Sequence, residues 1–166
     1  ACTDDVEFVA DDATRSDAEY LRKALRTAIE AGATTVTVCD DAGTMLPEEF
    51  AHFVEDIVRD VTSGTDVALG ISCSDALYLA ESNAVAGILA GADEVKAVAY
   101  PMQAVSLPKI AKILDAQGDA CQANCNVRTT ELKRATAQIA RICEQGTTSG
   151  SLFEGVESGT GDDIVL

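Results

Sequence analysis

The chain has 166 residues, 47% hydrophobic and 24% charged, and its 28 acidic against 12 basic side chains leave a formal net charge of −16. A chain of this size buries enough surface to fold as one soluble domain without disulfides or a structural metal. So acidic a surface repels phosphate backbones and anionic headgroups, which argues against nucleic acid or a membrane surface as partner.

No apolar run approaches the roughly 20 residues of a membrane span. The first fifteen residues carry Asp4, Asp5, Glu7, Asp11 and Asp12 rather than a basic leader. The six cysteines are scattered through apolar periodic segments, unlike the framework of a small secreted protein. Free thiols and a cytoplasmic location are therefore expected.

Four β-branched or apolar runs, Val6 to Val9, Thr34 to Val38, Val67 to Ile71 and Glu94 to Val98, start 28, 33 and 27 residues apart. Each is followed by a segment of helical periodicity, and this alternation predicts four βα units on a parallel sheet. The first helix is expected to start after a Ser16 cap, with Glu19 completing a capping box, to bury Leu21, Leu25, Ala28 and Ile29, and to stop at Gly32. The second opens at Pro47 with Glu48 and Glu49 in its first turn, buries Phe50, Phe53, Val54, Ile57 and Val61, and ends at Ser63-Gly64.

The third is expected over about Asp75 to Ala90, stacking Leu77, Ala80, Ala84, Val85, Ile88 and Leu89 before Gly91. A shorter fourth covers Leu107 to Leu114, and a fifth covers about Thr130 to Glu144 with Leu132, Ala135, Ile139, Ile142 and Cys143 inward. The domain reading is a (βα)4 unit over 1–114, a helical extension over 115–145 and an acidic tail rich in Gly and Ser over 146–166.

In a parallel barrel alternate strand residues face the interior and the helices, and chemistry gathers at the C-terminal strand ends. Val36, Val38 and Ile71 suit the helix side. Glu7, Val9, Asp11, Thr35, Thr37, Cys39, Ala68, Gly70, Ser72, Lys96, Val98 and Tyr100 suit the interior. The strand ends then present Asp11, Asp40, Asp41, Ser72, Ser74 and Tyr100, with Asp12 and Asp75, to one rim that suits a cation or a polar ligand. Capping of helix starts is the competing use of these residue types. Glu7 and Lys96 either pair within the sheet or stand in solvent on edge strands.

The lone His52 sits on the polar side of its helix, so no His-based triad or His-rich metal site can be built. The Cys121–Cys125 spacing has neither a second pair nor a histidine nearby to make a zinc site. No glycine-rich phosphate cradle occurs.

Val6-Glu-Phe-Val-Ala-Asp-Asp-Ala-Thr-Arg-Ser-Asp17, Ala28-Ile-Glu-Ala-Gly-Ala-Thr-Thr-Val36, Asp40-Asp-Ala-Gly43 and Pro47-Glu-Glu-Phe50 together resemble the second half of the barrel of 2-isopropylmalate synthase and its homocitrate and citramalate synthase relatives. The resemblance runs in order over about residues 5–95, implies that the four strands are the fifth to eighth of a (βα)8 barrel, and continues weakly through 126–144. It implies a divalent metal that polarises a 2-oxo acid for attack by an acetyl-CoA enolate. It also implies that the strand supplying the family's metal-binding Asp and catalytic Arg belongs to the first half of the barrel, which this sequence does not contain.

Within the matched half, the family's H-x-H falls on Ser72-Cys73-Ser74, its eighth-strand glycine-rich loop on Tyr100 to Ser106, its fifth-strand Glu on Asp11, and the Thr after its sixth-strand Asp on Asp41. Arg15 and Asp17 are kept and are expected to fix the loop and the helix start. Hydroxyls replace imidazoles poorly as metal ligands. The expectation is a protein without catalytic or metal-ligating residues of its own, and without a cofactor unless a partner supplies metal ligands.

A four-stranded half barrel exposes two strand edges. It is therefore expected to close as a homodimer, or with a complementary half-barrel chain, and to bind a small carboxylate or 2-oxo acid if it binds a ligand. The class-different alternative is an acyltransferase subunit completed in trans by a chain carrying the first half. A start at Ala1, almost on the first strand, is compatible with a short protein and with a piece of a longer one.

Overall fold

The computed structural model describes residues 3–100, 102–123 and 125–146. Cys2 and nearly all of the tail expected over 146–166 lie outside them. The elements run β1 (Glu7–Ala10), α1 (Ala18–Glu30), β2 (Thr35–Asp40), α2 (Pro47–Ile57), β3 (Ala68–Cys73), α3 (Ala80–Leu89), β4 (Glu94–Val95), α4 (Leu107–Cys121) and α5 (Thr129–Gly146). The strands form one parallel sheet in the order β1-β2-β3-β4. These are the four βα units on a parallel sheet that the alternation predicts, arranged as the half barrel that the resemblance implies.

Register pairs Phe8 with Val36, Val36 with Leu69, Val38 with Ile71 and Ile71 with Val95, so these side chains share the helix-covered face. Val36, Val38, Leu69 and Ile71 are all fully buried there. The helices supply the opposite wall: Leu21 and Leu25 from α1, Phe50, Val54 and Ile57 from α2, Ala80 and Ala84 from α3, and Ile110 from α4. The i, i+3/i+4 spacing of those residues is what lays each helix on the sheet.

The cap of α1 is Asp17, whose side chain accepts from the Tyr20 N–H at 2.9 Å, and not Ser16, whose hydroxyl donates back to the Asp12 carbonyl. A carboxylate at the cap also gains from the helix dipole. In α2 the Glu49 carboxylate returns to the Leu46 N–H at 2.9 Å, and a π-helical turn over Val58–Thr62 carries the apolar face on to Val61.

The third helix starts five residues later than the periodicity suggests. Asp75 spends its side chain on the Ala80 N–H, and Tyr78 adopts a left-handed φ of 58°, so residues 75–79 form a loop. Leu77 is consequently exposed, as is Leu89 at the far end of the helix. Helix α4 runs to Cys121, past Leu114, and stops where Gln122 turns left-handed. Helix α5 lies against α4 with Ala135 and Ile142 exposed rather than inward.

Only Glu94 and Val95 pair with β3, because the returning chain wedges between the two strands: Ser74 bridges Ala104 and Val98 bridges Ser106. Val105 enters the core as a fully buried plug.

Gly87 allows the closest approach of α3 to the sheet, since a methyl group there would overlap the Ile71 Cδ1 and crowd the Phe50 ring. Gly87→Ala is expected to cost about 1–3 kcal/mol by overpacking. Urea unfolding measures it, and an unchanged midpoint would show that α3 can lift without loss.

Candidate functional site: the concave face and the strand-end rim

The face away from the helices carries Glu7 from β1, Thr37 from β2, Gly70 from β3 and Lys96 just beyond β4, as the strand parity predicts. Lys96 Nζ lies 2.7 Å from Glu7 Oε1 and 3.3 Å from Glu94 Oε2, and the Thr37 hydroxyl donates to the same Glu7 oxygen at 2.5 Å. Of the two readings left open for Glu7 and Lys96, pairing is the one observed.

Three strand spacings of about 4.8 Å separate β1 from β4, so these side chains meet only because the sheet curls toward its concave side. Gly70 contributes no side chain to this face, and even a methyl group there would overlap the Thr37 hydroxyl.

The strand-end rim divides by parity. Cys39 is buried on the concave side, hydrogen-bonded to Ser72 and close to the charges of Asp41 and Asp11. Burial first, and those carboxylates second, push its thiol up to about 11. Asp41 is also structural, its Oδ2 accepting from the Asp12 N–H at 2.7 Å. Asp12 sits at a left-handed φ of 52° and is gripped by both ends of the Arg15 guanidinium at 2.7 Å. Arg15 and Asp17 thus fix the loop and the helix start, the roles expected of them.

Asp40 does not join the rim group. As the sixth residue of β2 it turns to the helix side and is fully buried, its Oδ1 accepting from the Thr14 hydroxyl at 2.9 Å and the Gly43 N–H at 3.3 Å. Its Oδ2 has no partner among the described residues. Cys73, opposite Asp40 in register, is also buried on that side, and burial raises its thiol to about 12.

Ser74 is fixed by its backbone N–H, which donates to the Asp40 carbonyl at 3.0 Å, and Tyr100 is half-buried at the start of the returning loop. The structure therefore gathers Asp11, Asp41 and Ser72 around Cys39 and sends Asp40 elsewhere.

Sequence reasoning missed two anchors. Glu81 holds the returning loop, its Oε1 accepting from the Ser106 N–H at 3.2 Å and pairing with Lys109 at 3.1 Å. Thr14 fixes Asp40. Neither stands out in a one-dimensional pattern, because each is matched to a partner 25 or more residues away.

These donors do not fit a divalent metal. The hydroxyls of Ser72 and Ser74 are neutral, the Cys39 thiol stays protonated near neutral pH, and Asp40 is turned away. Among the described residues no three His, Cys, Asp or Glu side chains are grouped to hold an ion. The five described cysteines are free thiols, and no described helix is long and apolar enough to cross a membrane.

Four parallel strands with helices on one face and a polar concave face on the other define a segment of a (βα)8 barrel. The chain belongs to the HMGL-like family, whose model matches residues 1–99. It is 33% identical over 144 residues to the 2-isopropylmalate synthase of Pyrococcus furiosus, a match covering 84% of this chain and 29% of that protein. It is 44% identical over 94 residues to the enzyme of Aquifex aeolicus, covering 57% of this chain and 18% of the relative. The chain thus spans less than a third of the length of these relatives.

The carboxyl transferase domain of Rhizobium etli pyruvate carboxylase, in its Y628A form with pyruvate, superposes with a TM-score of 0.66 over 91% of this chain and 26% of that one. At 17% identity this is a likeness of fold.

The burial of two thiols is open to a chemical test. At neutral pH iodoacetamide should modify Cys39 and Cys73 at least about tenfold more slowly than Cys121, Cys125 and Cys143, as read by peptide mass mapping; equal rates would contradict the burial of the first two.

The ion pair on the concave face sets a pH dependence. Lys96 first, and Thr37 next, hold the Glu7 carboxyl below its ordinary value of 4.5. A depressed carboxyl contributes stability that is present above the unfolded value and lost as pH falls through the folded one. The gap in urea midpoint between the natural chain and Glu7→Gln should be flat over about pH 6–8 and close below about pH 4.5. A gap that persists at about pH 3 would show that it does not come from the charge.

Proposed function

We propose that this HMGL-like segment is a binding or regulatory module without metal-dependent condensation of acetyl-CoA with a 2-oxo acid, and that it works as an assembled oligomer in the cytoplasm. The observation that carries the reading is the rim itself. Where the family resemblance implies imidazole ligands, this chain has Ser72 and Ser74, and Asp40 is committed to Thr14 and Gly43 on the helix side. The opening between β3 and β4 is also stopped by Val105 and the loop anchored on Glu81.

The charge of the rim bears on the ligand. Asp11 and Asp41 face it, and Arg15 is already clamped on Asp12. A cationic or neutral polar molecule meets this rim more favourably than the carboxylate or 2-oxo acid expected from the resemblance.

Manganese titration followed by electron paramagnetic resonance tests the reading. The chain should show no stoichiometric Mn²⁺ site, and chromatography should detect no coenzyme A release from acetyl-CoA with a 2-oxo acid. A stoichiometric site abolished by Asp41→Asn, or coenzyme A release above the protein-free rate, would overturn it.

A further inference from the structure

Two polar side chains that the fold encloses completely, Asp40 at the end of β2 and Asn83 in α3, each keep one oxygen without a partner among the described residues: Asp40 Oδ2 and Asn83 Oδ1. An acceptor withdrawn from water with nothing in exchange is costly. Exchanging the two ends of the Asn83 amide does not relieve it. Its Nδ2 donates to the Met45 carbonyl at 3.0 Å, and the exchange would set one carbonyl against another. Asp40 already accepts through Oδ1 from Thr14 and Gly43, so its Oδ2 needs a donor from elsewhere.

The two side chains hold one stretch of chain. Asp40 takes the Gly43 N–H and Asn83 takes the Met45 carbonyl, so both reach the β2–α2 loop, two residues apart. That loop lies hard against the end of β3: Gly43 has a φ of 60°, and a methyl group on it would come within 2.8 Å of the Ser74 carbonyl oxygen. Cys73 is opposite Asp40 in register on the same buried side, and its thiol, which burial keeps protonated near neutral pH, is a weak donor there.

We infer that a buried water molecule lies beneath the β2–α2 loop and donates one hydrogen to Asp40 Oδ2 and the other to Asn83 Oδ1. A water has two hydrogens to give, and its own lone pairs are open to the Cys73 S–H. A hard cation wants six or more oxygen ligands, whereas only these two enclosed side-chain oxygens are free among the described residues. The bridge ties the end of β2 to α3 and steadies the loop that opens with Asp41, whose Oδ2 accepts from the Asp12 N–H. The water is a positioning element behind the rim, whatever the rim binds.

A high-resolution crystal structure of the natural chain should show one water within about 2.6–3.2 Å of both oxygens. In solution, oxygen-17 relaxation dispersion counts long-lived internal waters, and Asn83→Leu should lower the count by one. Asp40→Asn should keep the water, because an amide at that position still bonds to it, whereas a cation would be lost with the charge. Empty density at both oxygens, a cation in place of the water, an Asn83 amide turned to donate to Asp40, or a folded Asn83→Leu chain with an unchanged count would each overturn the inference. The crystal structure needs no variant, so it decides the matter even if Asn83→Leu does not fold. Metal titration reads the rim and the water reads the interior, so the two readings fail separately.

Discussion

The curl of the sheet is the constraint on which the rest of the structure depends. Four parallel strands twist and bend so that one face can be covered by helices, and the other then becomes a trough across which β1 and β4 approach each other. The Glu7–Lys96 pair marks that approach, and Thr37 and the bare backbone of Gly70 lie between its two ends. A flat sheet would leave both charges separately in water. The ion pair itself is only partly shielded, so it reports the curvature more than it produces it. What produces the curvature is the apolar layer on the convex side, where Phe50, Leu25, Leu69 and Ile71 are fully enclosed.

The same geometry separates residues that adjoin in sequence. Cys39 and Asp40 are neighbours, yet one lies on the concave side beside Ser72 and the other under the helices beside Thr14. A carboxylate at the end of a barrel strand looks like chemistry from the sequence. Turned outward, Asp40 instead satisfies a hydroxyl and a backbone N–H and fixes two loops. The hydroxyls of Ser72 and Ser74 at the end of β3 and the buried Val105 beside them belong to the same part of the rim.

Strand number, order and facing were legible because parallel strands carry a period of two and the βα units recur at nearly constant spacing. The ends of elements were less so. The start of α3 depends on Asp75 capping Ala80 across a loop, and the shortness of β4 depends on residues 104–106 inserting beside it. Both are competitions between a local pattern and a backbone partner arriving from elsewhere in the chain. The rim was half legible for a related reason: parity assigns Asp11 and Ser72 to the concave side, and applied with equal strictness it also removes Asp40 from it.

The charge of the chain sets the terms on which such an arc can be completed. Two copies carrying −16 each repel at long range, and at physiological ionic strength that repulsion is screened beyond about 8 Å. Association is then decided by contacts shorter than that, at places where the surface is locally neutral or apolar. Among its exposed strand residues the sheet offers such places at its edges, where Lys96 already faces two carboxylates and Phe8 and Val6 stand uncovered. An acidic exterior discourages indiscriminate edge-to-edge pairing, and it confines any pairing that does occur to the edges whose side chains match.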